Sequence, residues 1–138
     1  MIGLDTNVLA RYYIQDEADT EALAQHEAAR SLVESGKPLM VCKTVLLELE
    51  WVMRGYYGFT ADEIAGAFSH LLALEHVRIE DRASVTQALS HMAGGLDFVD
   101  ALHLAAYREC VEMASFDDRK FARRAQRLNL APRVFVPR

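Results

Sequence analysis

The chain has 138 residues, 51% of them hydrophobic and 25% charged, with a formal net charge of −5; this is ordinary globular composition, enough for the core of a single domain over residues 1–138, and it excludes a disordered or fibrous protein. No apolar run approaches the roughly 18 residues that a membrane span requires, and the start MIGLDTN has neither a basic n-region nor an apolar h-region, so a cytoplasmic protein with no membrane partner is expected. The charge is unevenly placed: residues 1–118 hold 8 Lys or Arg against 20 Asp or Glu, a balance of −12, whereas the last twenty residues are +7 without an acid.

Met1-Ile2-Gly3-Leu4 is a short continuous apolar run and reads as a strand buried on both faces, ending on Asp5. Thr6 or Asn7 opens the helix that continues to Tyr13. In open α/β sheets the edge where strands give way to helices is where ligands bind, so Asp5 is placed for function as well as for an N-cap. Glu17 to Gly36 reads as an exposed amphipathic helix with Leu23, Ala28, Leu32 and Val33 as its apolar positions. Leu39 to Cys42 is a second strand, and Thr44 caps the next helix. On that helix Glu48 falls at helical spacing from Val45, Leu49 and Val52, while Glu50 points elsewhere, toward solvent.

Thr60 and Glu63 form a capping box for a helix to Leu74 with Ile64, Phe68, Leu71 and Leu72 as its buried stripe. His76 to Ile79 is a strand, Ser84 to Met92 a helix stopped by Gly94-Gly95, and Asp97 starts the helix through Tyr107. Met113 to Phe116 is a strand ending on Asp117-Asp118; a basic helix, Arg119 to Leu128, leads to a last strand, Val134 to Val136. Short apolar strands alternating with helices make this an α/β fold with a mostly parallel, short-stranded central sheet flanked by helices. Cys42 and Cys110 lack metal-site spacing and read as reduced core residues.

Four carboxylates fall where such a fold can gather them: Asp5 and Asp117 after strands, Asp100 at a helix N-terminus and Glu48 within an apolar helix face. A lone buried carboxylate is driven neutral or needs a cation, and several converging acids without bases need a hard divalent ion. Mg²⁺ or Mn²⁺ is implied, a cofactor suited to phosphodiester hydrolysis. Asp97 and Asp117 also serve as helix caps, and His103, one turn beyond Asp100, reads as structural or as a proton shuttle. Arg119, Lys120, Arg123 and Arg124 form a basic face that is either merely solvated or attracts an RNA backbone. The aromatic stretch from Trp51 to Phe59 either packs between helices or lines a partner groove.

The segments GLDTN, LLELEWVMRGYYG, LDFVDALHLAA and ASFDDRKF, in this order, resemble the motifs of PIN-domain ribonucleases of the VapC toxin type, over nearly the whole chain. The resemblance implies a metal site of Asp5, Glu48, Asp100 and Asp117, with Thr6, Asn7 and Ser115 positioning metal or water and Asp97 and Asp118 as secondary acids. It further implies a homodimeric toxin that cuts RNA and is silenced by a small antitoxin protein. The alternatives are a haloacid-dehalogenase-like phosphatase, for which Asn7 stands where a second aspartate is wanted, and a receiver-like metal-binding module, for which Lys43 follows the second strand instead of an acid.

Overall fold

The computed structural model describes all residues, 1–138. They form two compact units, Met1–Arg82 and Ala83–Arg138. The first holds a three-stranded parallel sheet in the order β1-β2-β3, from β1 (Ile2–Gly3), β2 (Leu39–Val41) and β3 (Val77–Ile79). Leu39 pairs with Ile2 on one side and Val77 on the other, which makes β2 the central strand. Its flanking helices are α1 (Thr6–Tyr13), α2 (Thr20–Val33), α3 (Lys43–Trp51) and α4 (Ala61–Ala73), with a π-helical turn, Val52–Tyr56, continuing α3. The second unit comprises α5 (Arg82–Ala93) from its second residue onward, α6 (Phe98–Ala106), β4 (Glu112–Ala114), a π-helical turn (Asp118–Ala122), α7 (Arg123–Arg127) and β5 (Arg133–Phe135). Here β4 and β5 pair in parallel as a separate two-stranded sheet, so the expected central sheet is divided.

Local chemistry accounts for several boundaries. Thr60 Oγ1 accepts from Glu63 N–H at 3.2 Å while Glu63 Oε1 accepts from Thr60 N–H at 2.9 Å, the expected capping box, and Ile64, Phe68 and Leu71 are buried behind it. Asp19 caps α2 by accepting from Glu21 and Ala22 N–H. α3 begins at Lys43 without a side-chain cap from its own N-cap residue, and Thr44 does not cap it. The Lys43 N–H donates instead to Glu80 Oε1 at 2.8 Å, beyond β3, so a carboxylate distant in sequence satisfies the helix terminus.

Other expectations are corrected. β1 is an edge strand of two exposed residues, Ile2 being 42% exposed, because it has a neighbour only in β2; Leu4 alone is buried. On α2 the buried residues are Ala22, Ala29 and Val33, leaving Leu23 exposed. Cys42 is half-buried and Cys110 exposed; both are free thiols, neither in the core.

The largest correction concerns α3. Its buried stripe is Leu46, Leu49, Glu50 and Met53, the i, i+3, i+4, i+7 pattern, so Glu50 is 2% exposed and Glu48 lies on the open side. Arg54 Nε donates to Glu50 Oε1 at 2.8 Å, four residues on, supplying the charge that lets a carboxylate be buried. The burial argument for a cation at Glu48 therefore does not hold; its case rests on what it faces.

Candidate active site

In the first unit, Asp5 is the N-cap of α1, but its Oδ1 accepts from the N–H of the next residue, Thr6, at 2.8 Å, and not from the N–H groups of the second or third helical residue that an N-cap side chain usually serves. Asp5 and Asn7 are exposed at the helix start and Thr6 is buried between them. An open cavity of about 280 Å³ lies here, lined by Asp5, Thr6, Asn7, Ala10, Arg11, Glu48, Val52 and Tyr57. The first and second motifs thus bring Asp5 and Glu48 to one cavity. Arg11 and Tyr57 are the residues that sequence reasoning missed. Tyr57 lies within the aromatic stretch from Trp51 to Phe59, whereas Arg11 gave no signal beyond its place on the helix that Asp5 opens.

In the second unit Asp97 occupies the N-cap position of α6 without making a cap hydrogen bond, so its carboxylate is not consumed by the helix. Asp100 is half-buried in the first turn. Burial pushes its carboxyl above the ordinary carboxylate range, the nearby charges of Asp97 and Asp117 push it further, and His103 opposes them. Asp100 therefore lies within the field of two further acids, which helix capping alone does not require. Asp117 is the N-cap of the π-helical turn: Oδ1 accepts from Lys120 N–H at 3.1 Å, while its own N–H donates to Ser115 Oγ at 3.1 Å. Ser115 thus holds the backbone on which Asp117 is mounted.

Asp118 turns to Arg123, whose Nε and Nη2 donate to Oδ2 at 3.1 and 2.9 Å, and this guanidinium holds Asp118 below the usual carboxylate range. Arg124 Nη1 donates to Gly95 O at 3.2 Å. The expected basic face is thereby reduced: Arg119 and Lys120 are exposed, and Arg123 is half of an ion pair.

The predicted site residues occur as two groups, Asp5 with Glu48 in the first unit and Asp97, Asp100 and Asp117 in the second. No set of three or more His, Cys, Asp or Glu side chains is gathered closely enough to hold a metal ion as the side chains stand. The donor chemistry nevertheless fits a hard cation: all are carboxylates, and the burden of like charge on Asp100 is what a divalent ion relieves.

Parallel strands alternating with helices, with carboxylates after strands and at helix starts, make this an α/β fold. Residues 2–127 match the PIN domain, and the chain belongs to the PIN-domain family. PIN domains are typically metal-dependent nucleases, which makes this chain a nuclease at the level of its family. No curated protein matches the chain. No helix is long and apolar enough to cross a membrane.

Proposed function

We propose that the chain is an endoribonuclease that hydrolyses RNA phosphodiester bonds with Mg²⁺ or Mn²⁺, and that it is the VapC-type toxin of a type II toxin–antitoxin pair, a cytoplasmic homodimer silenced by a small antitoxin protein. The observation that carries the nuclease reading is the match of residues 2–127 to the PIN domain, a family that typically cuts nucleic acid, together with the cavity that Asp5 and Glu48 share. The phosphatase and receiver-like alternatives lose their ground with that family membership. The toxin role rests on the likeness of the four motifs to the VapC type.

In this reading, which rests on the likeness of the four motifs, the metal-binding carboxylates are Asp5 and Glu48 of the first unit and Asp100 and Asp117 of the second. A divalent cation held there would supply Lewis acidity toward a water nucleophile and the leaving oxygen. Thr6 and Asn7 set the start of α1 on which Asp5 is carried. Ser115 braces Asp117, and Asp97 maintains the negative field at Asp100. Asp118 acts through Arg123, fixing its guanidinium. Arg119, Lys120 and Arg124, with Arg123 discounted by its ion pair, attract the RNA backbone. The test is incubation of purified protein with single-stranded RNA: cleavage with Mg²⁺ or Mn²⁺ that stops in EDTA supports the reading, and no cleavage with either ion contradicts it. Mapping RNA 5′ ends after brief expression in cells tests the toxin role, which requires new discrete ends.

A further inference from the structure

The cavity of the first unit contains more than a metal-binding pair requires. Besides Asp5 and Glu48 it is lined by a guanidinium, Arg11, and an aromatic ring, Tyr57. Arg11 is oriented by its neighbour helix, Nε donating to Gln25 Oε1 at 2.8 Å, a bond that leaves both Nη groups for another acceptor.

Tyr57 is fixed in backbone and in ring. Its N–H donates to Val52 O at 3.2 Å, the i→i+5 bond that closes the π-helical turn, and Phe59 N–H donates to Met53 O at 2.9 Å immediately after. Gly58 between them takes φ +71°, a left-handed conformation that a side chain would strain, so the chain turns sharply just past the ring. Such π-turns inside helices recur at functional sites. Tyr56 meets the Tyr57 ring edge-to-face at 4.8 Å and 69°, and Phe59 does so at 6.5 Å and 71°. Tyr57 is half-buried and Tyr56 is 76% exposed, so Tyr57 is the inner ring of the pair. A preset aromatic ring loses little entropy when another planar ring stacks on it.

We propose that this cavity is a nucleotide subsite for single-stranded RNA, in which Tyr57 stacks on one base next to the scissile phosphate and Arg11 pairs with a backbone phosphate. The proposal rests on the ribonuclease reading and adds to it a residue that determines how substrate is seated. A volume of about 280 Å³ is at the small end of ligand pockets, on the order of 300 Å³, and suits one base and not a stacked run. Stacking on an aromatic face is tolerant of base identity, so the subsite requires that a base be present more than it selects which. It also requires that the base be free to leave its neighbours, which favours single strands and loops over duplex.

The test is cleavage of a single-stranded oligoribonucleotide and of a set in which one abasic ribose replaces each nucleotide flanking the cut in turn, with Mn²⁺, by wild type, Tyr57→Phe and Tyr57→Ala. For wild type and Tyr57→Phe, one abasic position should lower kcat/KM by about 10-fold, within the range of a missing base–aromatic stack. Tyr57→Ala should be slower by a similar factor on intact RNA and should fall by less than about 2-fold more at that same position, because the partner of the missing base is already gone. Circular dichroism melts establish that each variant is folded, and Tyr57→Leu, which keeps apolar bulk without a ring, takes the place of an unfolded Tyr57→Ala. Cleavage by wild type with no sensitive abasic position, or with a full abasic penalty persisting in Tyr57→Ala, overturns the subsite and leaves the ribonuclease reading standing. Absence of cleavage by wild type on any RNA overturns the ribonuclease reading, and the subsite with it.

Discussion

Replacing Asp100 by Asn tests the charge cluster of the second unit without assaying RNA. The side chain keeps its size, so the change removes a charge and little else. Burial, Asp97 and Asp117 raise the Asp100 pKa in the folded chain. A carboxyl raised on folding contributes its full stability below its ordinary value, near 4, and loses it as pH rises through the folded value. At neutral pH the ionised Asp100 therefore weighs against folding. A like-charge pair about 6 Å apart at an effective dielectric near 20 repels by about 3 kcal/mol before screening. Asp100 is only half-buried, and salt and water reduce the net effect of both neighbours to about 1 kcal/mol. For a chain of this length that is a rise in Tm of about 3 °C. Thermal melts in EDTA at pH 7 should show Asp100→Asn above wild type by this margin, and the margin should vanish below about pH 4, where Asp100 is protonated in both states. Millimolar Mn²⁺ should raise wild type by more, about 2.7 kcal/mol at one hundred times Kd, and reverse the order. A variant no more stable than wild type at pH 7 in EDTA would refute the electrostatic argument, and equal Mn²⁺ shifts in both proteins would remove Asp100 from the metal site.

The pair on α3, a buried carboxylate with a half-exposed guanidinium, makes a separate prediction: Arg54→Ala leaves the Glu50 carboxylate without that partner and should destabilise by about 2 kcal/mol in urea unfolding, less than a fully buried pair would cost, whereas Glu50→Met, which removes the charge itself, should stay within about 1 kcal/mol of wild type. A milder Arg54→Ala than Glu50→Met would contradict that account. The basic segment predicts an asymmetry in RNA binding: replacing Arg119 and Lys120 by Ala should flatten the log Kd against log salt slope by about 0.7 for each single-strand phosphate that is no longer neutralised, and Arg123→Ala by less, since Asp118 already neutralises it. Equal flattening by Arg123→Ala alone would show that the ion pair opens on RNA.

What the sequence disclosed follows from how local its causes are. The Thr60–Glu63 box and the stripe behind it are short-range chemistry, and both were readable. So were the alternation of strand and helix and the placement of Asp5 and Asp117 at the ends of short apolar runs. The cap of α3 was not, because Glu80 lies 37 residues from the N–H it accepts. Glu48 and Glu50 were exchanged for a related reason. Two residues on a helix face nearly opposite ways, and choosing between them needs the packed face of α3, which Leu46, Leu49 and Met53 define. The Arg54 spacing was the available clue, since a carboxylate with a guanidinium four residues on can be buried as a pair. The edge position of β1 and the ion pair that takes up Asp118 and Arg123 likewise depend on neighbours that periodicity does not name.

The central claim, that these carboxylates carry metal-dependent RNA cleavage, is tested most directly by single-turnover cleavage of single-stranded RNA at saturating Mn²⁺ by wild type, Asp5→Asn, Glu48→Gln and Asp100→Asn. A bound cation supplies several kcal/mol of charge stabilisation in the transition state, so each variant should fall by at least about 100-fold while remaining folded, and EDTA should abolish cleavage by wild type. Wild-type rates in all three variants, or cleavage that persists undiminished in EDTA, would contradict the claim.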